Sequence, residues 1–191
     1  MGIFDKLKNN SSASGTGAQT FDKNTKEMTF TFAALPESVA ELQALPEASL
    51  DNPFKTAALA LCALCAYGAD KEIGTEMLNW LRGPKGALSP TEQQFLKDRF
   101  ADEHYYIPFS YFEGAKPEND YTPSTPFTVK IFTNPYSYQN EGYASLYLTS
   151  GGADSPRSFT LRKVESTGKW YLWEQFVMVG IREPKSKSPW A

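Results

Sequence analysis

The spacing of apolar positions changes period once along the chain, and the change divides it in two. Between Ser38 and Ala101 apolar residues recur every three or four positions, and from Phe127 onward they alternate with polar ones. The first spacing is that of a helix with a buried face, and the second is that of a strand. One strand precedes the helical half: in Met28-Thr-Phe-Thr-Phe32 the apolar face is Met28, Phe30 and Phe32.

Within the helical half, Ser38 to Leu45 predicts a short helix closed by Pro46. Asn52 is a cap and Pro53 suits the first helical position, so a helix starts there and runs to Tyr67, with Gly68 as its stop. From Ala57 to Tyr67 its only polar side-chain groups are one phenol and two thiols, so it has no face to offer water and belongs in the core. Lys71 to Leu81 carries Ile73, Met77, Leu78 and Leu81 on one stripe, an amphipathic partner ended by Gly83-Pro84. Ser89-Pro-Thr-Glu92 is a capping box that opens a helix to about Ala101, burying Phe95, Leu96 and Phe100.

In the other half, Phe127, Val129 and Ile131, then Ala144, Leu146 and Leu148, then Phe159 and Leu161 form three alternating runs, and Trp170 to about Ile181 forms a fourth. Asn134-Pro135 and Gly151-Gly152 punctuate them, and Thr167-Gly168 is a hairpin turn before the last. Short connections make sequential strands antiparallel neighbours. The expected architecture is α+β, a helical cluster packed on one face of a mostly antiparallel four- or five-stranded sheet. It occupies residues 20–183, between a leader and Ser/Gly linker over 1–19 and a solvated basic Pro/Ser tail over 184–191. Ile3, Phe4 and Leu7 give the leader a small apolar side, either a docking element or a frayed terminus.

The two halves are joined by Tyr105 to Pro126, which holds six aromatic residues and prolines at 108, 117, 123 and 126. Those prolines forbid a long helix, and the aromatics argue against disorder. An ordered long connection is often functional, which makes this one the expected binding surface.

Composition narrows the classes. The chain has 191 residues, 41% hydrophobic and 21% charged, with a net charge of −3, so it lacks the global basic footprint of a nucleic-acid binder. Its longest apolar run is too short to span a bilayer, and its start has no signal-peptide core, so the expected compartment is the cytoplasm with both cysteines reduced.

Chemistry is sparse. Cys62 and Cys65 form a C-x-x-C, yet they lie deep inside the apolar helix, away from a helix N-terminus, and metal ligation has only one histidine to add. His104 is that imidazole, with no nucleophile motif beside it. Glu113, Glu118 and Asp120 sit among the loop aromatics, an arrangement compatible with glycoside hydrolysis but far more common as a solvated turn. Trp170, Tyr171 and Trp173 place aromatics on both faces of one strand, so one of those faces needs a cover.

The stretches Asn52-Pro-Phe-Lys-Thr-Ala-Ala58, Gly83-Pro84, Tyr111 to Tyr121, Val179-Gly-Ile-Arg182 and Pro189-Trp190 resemble a family of uncharacterised proteins from Gram-positive, mostly clostridial, bacteria, a domain of unknown function. The resemblance spans roughly Leu35 to Trp190. It implies a bacterial cytoplasmic protein and supplies no activity, cofactor or catalytic residue.

The expected function is therefore a non-catalytic binding or protein-interaction module built on loop 105–126. Its binding residues would be Tyr105, Tyr111, Phe112, Glu118, Asn119 and Tyr121, with Trp173 from the sheet. The alternative is a hydrolase acting through Glu113, Glu118, Asp120 or His104. No cofactor or metal is expected. The partner would be a protein or a second copy of the chain, with no nucleic acid and no membrane span, and a small-molecule ligand is left open.

Overall fold

The computed structural model describes residues 21–191, so the leader expected over 1–19 lies outside the described residues. The strand read at Met28 is β1, Glu27–Phe32, and the alternating half supplies β2 (Phe127–Phe132), β3 (Tyr143–Leu148), β4 (Arg157–Val164) and β5 (Lys169–Gln175). They form one five-stranded sheet in the order β1-β2-β3-β4-β5, antiparallel throughout. The helical half between β1 and β2 contains α1 (Val39–Ala44), α2 (Pro53–Ala69), α3 (Lys71–Arg82), α4 (Pro90–Phe100) and α5 (Tyr106–Phe109). The fold is α+β.

Although that helical half separates them in sequence, β1 and β2 pair along their whole length, from Glu27↔Phe132 to Phe32↔Phe127. This places Phe30 beside Val129 on the inner face, as period-two alternation requires. The inner face continues through Ala144, Leu146, Phe159, Leu161, Trp170 and Leu172, all buried. Across it lies α2, whose residues from Phe54 to Cys65 are buried except for Lys55. Alanines at 57, 58, 60 and 63 keep the helix thin enough for neighbours on several sides.

α2 runs through Gly68 and ends at Asp70, whose carboxylate accepts from the amides of Glu72 and Ile73 and so caps α3 as well. Gly68 is therefore not the stop. A Cβ there would sit 3.3 Å from the Phe100 ring, so the glycine admits α4 instead. A closer approach occurs at Gly74 of α3, where a Cβ would lie 2.2 Å from the Tyr67 Cα.

In α4 the capping box forms as written in the sequence, with Ser89 and Glu92 bonding each other's backbone amides. Leu96 and Phe100 are buried, but Phe95 is 38% exposed beneath the Arg99 guanidinium. The helix covers the core with one narrow stripe, and Phe95 lies off it.

Two further differences concern the end of the chain. The strand expected to reach Ile181 stops at Gln175, and Val177 and Met178 turn into the core. The segment expected as a solvated tail is fastened down where Pro184 is buried, the Ser186 hydroxyl donates to Asp120 at 2.6 Å, and the Lys187 ammonium lies 3.1 Å from Glu103. Acidic turns on the body hold Ser186 and Lys187.

The Gly74 contact is backbone against backbone and leaves no side chain to yield. Alanine usually strengthens a helix by about 1 kcal/mol over glycine. Here Gly74→Ala is expected to cost about 1–3 kcal/mol through overpacking. Urea unfolding of the variant checks this, and an unchanged or raised midpoint would show that α2 and α3 do not meet at this glycine.

Candidate functional site

Loop 105–126 is ordered, with α5 and a 3-10 turn at Pro117–Asn119, but its rings other than Tyr105 face inward. Tyr111, Phe112 and Tyr121 are 4%, 2% and 2% exposed. Each phenol is spent on the backbone that follows β5: Tyr111 donates to the Val177 carbonyl at 2.6 Å and Tyr121 to the Arg182 carbonyl at 2.7 Å. Burial raises the Tyr111 phenol pKa, and it pushes that of Tyr121 up to about 12 with the neighbouring Tyr106 adding to it. Asn119 is equally committed, accepting from the Lys116 amide and donating to the Gly114 and Thr122 carbonyls. Of the loop's expected binding residues only Tyr105, 50% exposed, and Glu118 present side chains to solvent. The loop is thus a strap that closes the C-terminal segment over the core.

The groups named for hydrolysis are distributed along the strap. Glu113 lines a shallow groove with Lys130 and Thr149, Glu118 is exposed, Asp120 accepts from Ser186, and His104 packs edge-on against Tyr106. Cys62 and Cys65 are buried free thiols, with ionisation opposed by burial. Among the described residues no group of three or more His, Cys, Asp or Glu side chains could hold a metal.

The outer face of the sheet is different. On β5, Trp170 points into the core while Tyr171 and Trp173 point away from it. A bulge follows: Leu172 pairs with Leu161 and Glu174 with Thr160, so Trp173 is an extra residue in the strand. Bulges twist a strand locally and re-aim a side chain. Here the Trp173 ring meets Tyr143 edge-on, with centroids 5.8 Å apart. Arg162, paired with Tyr143 across β3 and β4, lies against both rings, with Cζ 4.7 Å from the Trp173 centroid and 5.3 Å from that of Tyr143.

On the near side, α3 ends in Gly83, whose φ of +47° favours glycine and whose missing side chain lets Tyr171 approach; a Cβ would fall 2.4 Å from its ring. The chain then brings Lys85 to Trp173, with Nζ 4.6 Å from the ring centroid and bonded to the Trp173 carbonyl. On the far side, Tyr136 (70% exposed), Gln139 and Asn140 of the β2–β3 connection line a groove of about 400 Å³ with Tyr143, Tyr147 and Trp173. Sequence reasoning flagged Trp173 but missed Arg162, Lys85 and Tyr143. Alternation does put Arg162 and Tyr143 on the outer face, but nothing local shows that the bulge gathers them around one ring.

Glu92 ties this region to α4, taking two bonds from the Arg82 guanidinium at 2.9 and 3.0 Å. Burial opposes its charge, but the Ser89 amide and Arg82 outweigh it and bring the pKa down to about 2 from the usual 4.5. A carboxylate with a depressed folded-state pKa stabilises the fold above its unfolded value and loses that contribution as pH falls toward the folded one. The melting-temperature gap between wild type and Glu92→Gln is accordingly expected to be full at pH 7 and to close between about pH 4.5 and 2. A gap constant across that window would remove the charge from the account. For the strap, Tyr111→Phe leaves the Val177 carbonyl without its buried donor and is expected to cost about 1–3 kcal/mol in denaturant unfolding. A neutral result would mean that the hydroxyl does not tie the strap down.

No curated protein and no solved structure matches the chain. A family model described as a domain of unknown function matches residues 34–185, well over half of the chain, which agrees with the unknown function that the resemblance implied. By that match the chain belongs to the DUF6935 family.

Proposed function

We propose that the protein is a non-catalytic binding module that recognises a segment of another protein on the outer face of its sheet. The observation that carries this is the cluster of the half-buried Tyr143 and Trp173 with the exposed Arg162, set beside a groove lined by Tyr136, Gln139 and Asn140. Aromatic rings and arginine are the side chains most enriched at the energetic centres of protein interfaces. The loop aromatics supply the scaffold, and the recognition surface moves to the sheet. A hydrolase through Glu113, Glu118, Asp120 or His104 draws no comparable support, since Glu118 is exposed, Asp120 is bonded to Ser186, His104 is packed on Tyr106 and Glu113 lines a separate groove.

A photo-crosslinking amino acid placed at the exposed Tyr136 in host cells tests the reading. One discrete protein adduct is expected, and it should be lost in the Trp173→Ala background while the melting temperature stays within a few degrees. An adduct indifferent to Trp173, or none at all, would count against this face as the recognition surface.

A further inference from the structure

Between the turn after α3 and the outer face of β4–β5 lies a second cavity of about 340 Å³, lined by Arg82, Lys85, Arg162, Lys163, Tyr171 and Trp173, with Pro84, Val164 and Leu172 completing its wall. Four of those side chains are cations, in a chain whose net charge is −3. The acids that offset them are few. Arg82 and Lys85 share Glu92, and the Lys163 ammonium is 2.9 Å from Glu165. Glu174 lines the neighbouring grooves, not this one. Among the described residues the exposed Arg162 guanidinium makes no hydrogen bond or ion pair, although Trp173 and Tyr143 both hold it from the side. Its five N–H donors are therefore positioned and unspent.

We infer that this cavity takes a phosphate monoester. A stacked guanidinium offers the planar fork that phosphate oxygens accept in pairs, and a lysine supplies a point charge. The surplus of cations over carboxylates suits a dianion better than a monocarboxylate. The volume leaves room beyond the phosphate for the group that carries it, with Tyr171 and Trp173 as its apolar walls. This deepens the proposed recognition face, with which it shares Trp173 and Arg162: the phosphate is a chemical mark that the face reads on its ligand. The carrier is either a phosphorylated protein segment or a small phosphorylated molecule, and the two share this chemistry.

Isothermal titration of the full chain with phenyl phosphate, benzoate, and a phosphoserine peptide beside its unphosphorylated form tests the inference. Phenyl phosphate is expected to bind saturably and weaken with salt, while benzoate binds at least tenfold more weakly. Arg162→Gln should lower the affinity about tenfold or more, because it removes a charge-assisted bidentate contact without breaking any bond of the fold. Arg162→Lys should fall between the two, and Lys130→Gln, on the far strand, should leave binding unchanged. A phosphopeptide that outbinds phenyl phosphate identifies a protein carrier, and the reverse order identifies a small molecule; either ordering supports the site. No saturable binding of any phosphate probe, benzoate binding as well as phenyl phosphate, or indifference to Arg162→Gln would overturn it. If the phosphate probes fail while the Tyr136 crosslink still depends on Trp173, only this inference falls and the recognition face stands.

Discussion

The structure is organised by one constraint: α2 has almost no side that tolerates water. A helix that is apolar all round must be enclosed by the rest of the chain. Each of its leucines contributes about 1.5–3 kcal/mol when fully buried, so leaving any flank open would be costly in a fold whose net stability is only about 5–15 kcal/mol. The sheet covers one flank and α3 another, with Gly74 letting the two helix backbones close on each other. Enclosure also explains why β1, although it comes first, joins β2 across the whole helical half of the chain and brings Phe30 and Phe32 to the inner face. The long loop closure this requires is entropically modest, since its cost grows only with the logarithm of the length.

Enclosing α2 decides what is left outside. Once Trp170 and Leu172 are committed inward, alternation sends Tyr171 and Trp173 outward. The end of α3 is drawn to the same edge because that helix packs on α2, and it delivers Arg82 and Lys85 there. The free edge of β5 is then closed without another strand: the Trp170 amide donates to the Leu50 carbonyl, the Thr56 hydroxyl donates to the Trp170 carbonyl, and Lys85 donates to that of Trp173. Protecting the edge from a stray strand and assembling the outer cluster are thus results of the same packing.

What could be read from the sequence was local. The caps at Asn52 and Ser89 name their own partners within three residues, and the change of period announces the fold class before any tertiary contact is known. Gly68 and Phe95 resisted the same reading because their roles depend on neighbours distant in sequence. One admits Phe100, and the other falls just off the stripe that the core happens to cover. The aromatic loop was legible as ordered but not as inward-facing. Tyr111 and Tyr121 have the same composition whether they hold a ligand or, as here, the carbonyls of Val177 and Arg182. The site was the least legible part, because a bulge is a mismatch between two strands and leaves no mark in either one.

The cluster around Arg162 also bears on why recognition would fall on the sheet and not on the strap. Binding through a free arginine must first order a side chain that carries about 2 kcal/mol of rotamer entropy. Two rings already restrain this one, and exposed cation–π contacts return only about 0.5–1 kcal/mol each, so most of the ordering cost is met before a ligand arrives. The strap offers no equivalent. Its Tyr111 and Tyr121 phenols and its Asn119 amide are bonded to backbone, and releasing Tyr111 to meet a ligand would leave the buried Val177 carbonyl unpaired at about 1–3 kcal/mol. A surface that keeps one positioned guanidinium idle, that of Arg162, can gain from a ligand, whereas one whose donors are all employed can only exchange bonds.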